Sequence, residues 1–129
     1  MNKIIVEVSV GELLDKISIL EIKQEKIKDP EKLKFISNEH SILKNQLENN
    51  VQNDGKLNKL FQSLKQINAK LWVIEDDKRQ CEKDKNFSEK FIKLSRDVHF
   101  LNDDRAKIKL QINNHTGSLI KEIKEYTSY

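Results

Sequence analysis

Leu57, Leu60, Leu64, Ile67, Leu71, Ile74, Lys78 and Cys81 recur at spacings of three and four, the period of one face of an α-helix. The row predicts a helix on the order of 40 Å long, at about 1.5 Å per residue. A second row, Leu33, Ile36, His40, Leu43 and Leu47, predicts a helix before it, with Asp29 as its cap and Pro30 in its first turn. Earlier still, Leu13, Leu14, Ile17, Ile19, Leu20 and Ile22 cover more than one face of a helix from about Val10 to Lys28. A helix that apolar belongs at the centre of the molecule. Ser9 and Glu12 have the S-x-x-E spacing of a capping box and mark its start. The last row runs through Phe91, Leu94, Val98, Leu101, Ile108 and Ile112, from Ser88 to about His115, where "HTGS" interrupts it.

The connections "ENNVQNDGK" and "EKDKNFSEK" are short and rich in turn residues. Short connections between long helices give antiparallel neighbours. The expected fold class is therefore all-α: antiparallel helical hairpins, as a four-helix bundle or a coiled-coil-like arrangement, in a single helical domain over residues 1–129. Ahead of the first helix, "KIIVEVSVGE" alternates Ile4, Val6, Val8 and Val10 against Ile5, Glu7 and Ser9. Period two predicts a short N-terminal β-strand, which needs a partner from the C-terminal segment or a second copy. The tail "LIKEIKEYTSY" reads as one more helical turn or as an extended segment. Thin bundles of long helices often finish their cores by dimerising, so a homodimer is expected.

Composition narrows the function classes. The chain has 129 residues, enough for one modest core. Charged residues make up 35%, but 24 basic against 21 acidic side chains leave a net charge of only +3, which is no nucleic-acid footprint. Aromatics at 6% leave few platforms for stacking bases. Basic residues interleave with acids, which argues against a membrane-surface role. No apolar run is long enough to span a bilayer. The opening "MNKIIVEVSV" has one lysine and carries Glu7 within its apolar stretch, so no signal peptide is expected. The single cysteine, Cys81, fits a reducing compartment, and a cytoplasmic location is expected.

One position breaks the last apolar row. Arg105 stands where the spacing calls for a leucine. If the third and fourth helices turn back at about 84–87, Arg105 lies near Ile67, Asn68 and Leu71, in the middle of the bundle. A buried guanidinium needs a carboxylate, and Glu21 on the most apolar helix or Glu75 beside Trp72 and Ile74 is the expected partner. Asn102 and Lys109, at i−3 and i+4, share the face of Arg105, and Asn113 extends it by a turn. Glu75 and Arg79 are also four apart. Two readings compete, with the first favoured: an ion pair that fixes helix register, or a site where Arg105 and Lys109 hold a phosphate or carboxylate.

Three blocks extend the pattern. "SVGELLDKISILEIK", "LWVIEDDKRQCE" and "FIKLSRDVHFLNDDRAKIKLQIN", with "GS" near the end, resemble a small bacterial and phage family, the domain-of-unknown-function family numbered 6165. The resemblance covers nearly the whole chain. It falls on Gly11, Glu12, Leu13, Asp15 and Lys16, then Ile19 to Lys23; on Leu71, Trp72, Ile74, Glu75, Asp76 and Arg79; and on Asn102, Asp103, Arg105, Ala106, Ile108, Lys109, Ile112 and Asn113. His99 stands where the family has Tyr, Ser95 where it has Ala, and the ending "KEYTSY" matches only loosely. The resemblance implies no activity. It implies that many motif positions are polar, which core packing alone does not require.

Carboxylates offer the other chemistry. Glu12 and Asp15 share a helical face, and Glu75-Asp76 and Asp103-Asp104 add acids that could hold Mg²⁺ in a phosphoester-cleaving enzyme. The capping box explains Glu12 equally well, however, and no second paired acidic motif accompanies it. His40, His99, His115 and Cys81 show no zinc-ligand spacing, and neither a nucleophile elbow nor a phosphate-binding glycine loop is present. His40 reads as a core histidine and Cys81 as a small apolar residue.

The expected function is thus a non-enzymatic binding or assembly module. Its polar interior strip of Glu21, Glu75, Asp76, Arg79, Asn102, Asp103, Arg105, Lys109 and Asn113 is a candidate site for an anionic ligand such as a sugar phosphate. No cofactor or metal is expected, save Mg²⁺ under the alternative of an enzyme acting on a phosphorylated or nucleotide-linked substrate. Expected partners are a second copy, a small anionic ligand or another protein, with no nucleic acid and no membrane.

Overall fold

Each helix begins where a short polar side chain can take up free backbone N–H groups. In the computed structural model, which describes residues 2–129, there are four helices: α1 (Val10–Lys26), α2 (Pro30–Asn50), α3 (Gly55–Lys83) and α4 (Glu89–Thr116). Ser9 caps α1 by accepting from the Glu12 amide, Asp29 caps α2 with Pro30 in its first turn, and Asp54 caps α3 by accepting from the Leu57 amide. Ser88 precedes α4 but makes no side-chain cap bond. α4 ends at Gly117, whose φ of 68° is left-handed and favours glycine. The capping box at α1 is only half formed: Ser9 accepts as expected, whereas the Glu12 carboxylate reaches across to Lys109.

The architecture is two antiparallel hairpins, α1–α2 and α3–α4, with α1 at the junction, against all three other helices. The central place expected for α1 is what its apolar coverage requires: Leu14, Ile17, Leu20 and Ile22 are all buried. Leu14 packs with Leu57, Leu64 and Ile112 into the main core, ringed by Val10, Leu60, Phe61 and Ile108. Fully burying each of these four side chains contributes about 1.5–3 kcal/mol. α2 buries no residue; it lies along α1, and Leu47 and Val51 reach the core at its end. Cys81 is buried and unpaired near the far end of α3.

The expected N-terminal β-strand does not form. Residues 2–9 pair with no other segment, and Ile4 is 87% exposed. The alternation is real, but no sheet edge within the chain meets it, and a strand without a partner has no ladder to hold it. Met1 of that stretch lies outside the described residues. The tail after Gly117 is irregular and forms no further helical turn. Among the described residues no helix is long and apolar enough to cross a membrane.

Candidate functional site

The site grows from the crossing of α1 over α4. Gly11 makes the crossing close: a Cβ placed there would stand 2.6 Å from the Lys109 carbonyl oxygen and 3.0 Å from the Asn113 side-chain oxygen. Because the backbones touch, the free amides of α1's first turn can bond to α4 and to the start of the C-terminal tail. Gly11 donates to Asn113 Oδ1 at 2.7 Å, Val10 to Ser118 Oγ at 3.2 Å, Glu12 to Ser9 Oγ and Leu13 to the Ser9 carbonyl. The free amides of the first turn, those of Val10, Gly11 and Glu12, are therefore satisfied, and Leu13 makes the first regular bond of the helix.

One turn along, Asp15 faces Arg105. The guanidinium donates in a bidentate fork, Nε to Oδ1 at 2.9 Å and Nη2 to Oδ2 at 2.5 Å. Asp15 also accepts from Asn68 Nδ2 at 2.8 Å, and Asn68 donates to Ser18 Oγ at the same distance. The Asp15 side chain is 3% exposed and that of Arg105 28%. The intruder in the apolar row thus ties α4 to α1, and through Asn68 to α3. Among the described residues no buried side-chain polar atom lacks a hydrogen-bond partner. The Arg105 pKa is raised, chiefly by its hydrogen bonds to Asp15, against the opposing effect of burial.

The partner differs from the expected one. Glu21 instead meets a His40 ring nitrogen at 3.1 Å and Lys65 Nζ at 3.3 Å, tying α1 to α2 and α3. His40 is only partly buried, so its seam position serves a hydrogen bond to Glu21 rather than the core. Glu75 lies exposed about two turns beyond the level of Arg105. Asp15 was hidden by its neighbours: read as the end of E-x-x-D, it looked like a metal ligand. Its true signal is its place on the buried face of α1, four residues after Gly11 and three before the buried Ser18.

Lys109, one turn beyond Arg105, gathers more acids. It donates to Glu12 at 2.7 Å and to Glu122 of the tail at 3.1 Å, with Asp15 at 3.9 Å. Burial lowers the Lys109 pKa, but these carboxylates outweigh it and the net shift is upward. Glu122 in turn bonds Lys124, and the two lysines hold its carboxyl below the ordinary value. The tail is fixed further along α4, where the Tyr129 hydroxyl donates to Asp103 and its ring meets His99 and Phe100 edge-on.

A cleft of about 250 Å³ lies between α4 and this tail. Asn102, Arg105, Lys109 and Asn113 form its floor, Glu12 one wall, and Glu122, Lys124 and Tyr126 the outer side. Arg105 Nη1 has only a long bond, 3.3 Å, to Asn102. With five N–H groups on a guanidinium, Arg105 keeps two without a protein acceptor among the described residues.

Of the candidate strip, the fold brings Asn102, Arg105, Lys109 and Asn113 together in one cleft, with Asp103 beside it on Tyr129. Glu21 lies on the other side of the α1 crossing, and Glu75, Asp76 and Arg79 are exposed on the far half of α3. The candidate strip left out Glu12, Asp15, Asn68, Glu122 and Lys124. Glu12 and Asp15 were legible as motif positions; Glu122 and Lys124 lie on an irregular tail that carries no periodicity. Among the described residues no group of three His, Cys, Asp or Glu side chains is arranged to hold a metal ion. The acids that do converge, Glu12, Asp15 and Glu122, converge on Lys109.

A family of unknown function, DUF6165, matches residues 4–129 of the chain. No curated protein and no solved structure matches it.

Proposed function

The chain belongs to the DUF6165 family of unknown function, and from its own geometry we propose that it is a non-enzymatic binding module whose cleft takes a small anionic ligand such as a sugar phosphate. The observation that carries this reading is the placement of Arg105: pinned by Asp15 on one edge, it lines an open cleft together with Lys109 and Lys124, and two of its N–H groups have no protein acceptor among the described residues. A guanidinium already oriented by a carboxylate loses little freedom when it binds an oxyanion. The cleft is smaller than the roughly 300–1,000 Å³ usual for drug-sized ligands, which favours a compact phosphate ester over a dinucleotide. Asn102 and Asn113 add amide groups suited to sugar hydroxyls.

Glu122 holds Lys109 as a carboxylate ligand would. An incoming phosphate replaces Glu122 at Lys109, and the tail moves aside with it. The acids near the cleft each face a cation, so they neutralise the site rather than offer open positions to Mg²⁺, and the binding reading is preferred to the enzymatic one. Buried, unpaired Cys81 supports a cytoplasmic setting.

Thermal unfolding in the presence of sugar phosphates, inorganic phosphate, sugar nucleotides and Mg²⁺ tests the proposal. A ligand at a hundredfold its dissociation constant stabilises the folded state by about 2.7 kcal/mol. A sugar phosphate is expected to raise the Tm of the wild type and leave that of Lys109→Gln unchanged. No rise with any compound would contradict the reading.

A further inference from the structure

Beyond the α1 crossing, the α3–α4 hairpin continues as a two-helix arm. Its middle carries an apolar groove of about 630 Å³, floored by Ala69, Val73, Ile74, Phe100 and Leu101 and rimmed by Lys70 and Asp97. No residue of α1, α2 or the tail lines it. Val73 is 48% and Phe100 37% exposed.

The charges around the groove have a symmetry that names its occupant. α3 and α4 run antiparallel, with Lys78 over Phe91 at one level and Asn68 and Arg105 sharing Asp15 at another. Val73 is therefore level with Val98. On α3, Lys70 lies one turn to one side of this level, and Asp77, on the same face four residues after Val73, one turn to the other. On α4, Lys93 is already held by Asp97 of the same helix at 2.6 Å, so that side of the rim is paired within the chain. Opposite signs equally spaced about one level are what a two-fold axis at that level pairs.

We propose that this groove is a self-association surface occupied by the same groove of a second copy. In the dimer, Val73 and Phe100 are covered by the opposing groove, and Lys70 of each chain meets Asp77 of the other. The result is an antiparallel four-helix arm with the ligand clefts outside it. The pairing is confined to one groove, so association of the weak, transient class is expected.

Sedimentation velocity from about 10 µM to about 1 mM tests it, spanning the range expected of a small interface. The wild type is expected to dimerise reversibly. Val73→Glu is expected to be monomeric with its helical signal intact, since an exposed position tolerates the change. Lys70→Asp places two carboxylates opposite each other at each mate and is expected to weaken the dimer about tenfold. Adding Asp77→Lys to Lys70→Asp restores opposite signs and is expected to recover the wild-type affinity. A wild type monomeric throughout, a dimer that survives Val73→Glu, or a double variant as weak as Lys70→Asp alone would each overturn the proposal.

Discussion

Arg105 is the residue on which the structure turns, and its two edges have different roles. One edge is locked to buried Asp15; the other faces the cleft. Breaking a buried pair from one side leaves an uncompensated charge and costs about 3–5 kcal/mol, whereas replacing both partners with apolar groups is often close to neutral. Arg105→Leu and Asp15→Leu are each expected to destabilise by that amount in urea unfolding. The double variant is expected to recover most of the loss; a double variant worse than both singles would contradict the pairing. Arg105 was legible from the sequence because it interrupts an apolar row. Its partner was not, because the row shows only that a carboxylate is needed, and the choice among Asp15, Glu21 and Glu75 depends on the angle at which α1 crosses α4. Gly11 sets that angle. Gly11→Ala drives a methyl group into the Lys109 carbonyl and cannot be relieved by a side-chain rotation. Its expected cost is about 1–3 kcal/mol, read from the urea midpoint, despite alanine's better helix propensity.

At the scale of elements, the helices were legible and the termini were not. Periodicity, caps and breakers placed α1 to α4 to within a few residues, since each helix closes its own hydrogen bonds and announces itself locally. The N-terminal stretch shows the reverse: alternating Ile4, Val6 and Val8 carry strand propensity, but a strand exists only if a second segment comes alongside, and none does. Beyond Ser118 the tail is held by side-chain contacts, Glu122 on Lys109 and Tyr129 on Asp103, which leave no periodic trace. Its attachment has a defined pH dependence. The Glu122 carboxyl is held below its ordinary value of 4.5, so its contact is complete above that pH and is lost as the pH falls through the lower folded value. On acidification, amide resonances of residues 119–125 are expected to sharpen while those of α4 stay dispersed. Unchanged linewidths down to about pH 3 would show that Glu122 does not hold the tail.

For the whole molecule, two surfaces sit at different heights on the same α3–α4 hairpin. Where α1 crosses, the hairpin is fully packed, and a line of polar side chains ends in a cleft; beyond the crossing it stands alone and shows an apolar groove. That division follows from chain length: α3 has 29 residues and α4 has 28, but α1 only 17, so it cannot cover the hairpin it crosses. The proposed binding at the cleft and the proposed association at the groove are therefore expected to separate by mutation. The most direct test of the central claim is a titration of the ¹⁵N-labelled protein with a sugar phosphate, followed by amide chemical shifts. Saturable shifts are expected, clustered at Glu12, Asn102 to Lys109 and the tail around Glu122, and absent in Lys109→Gln. Shifts that never saturate, or that fall on Val73 and Phe100 and leave the cleft untouched, would contradict the claim.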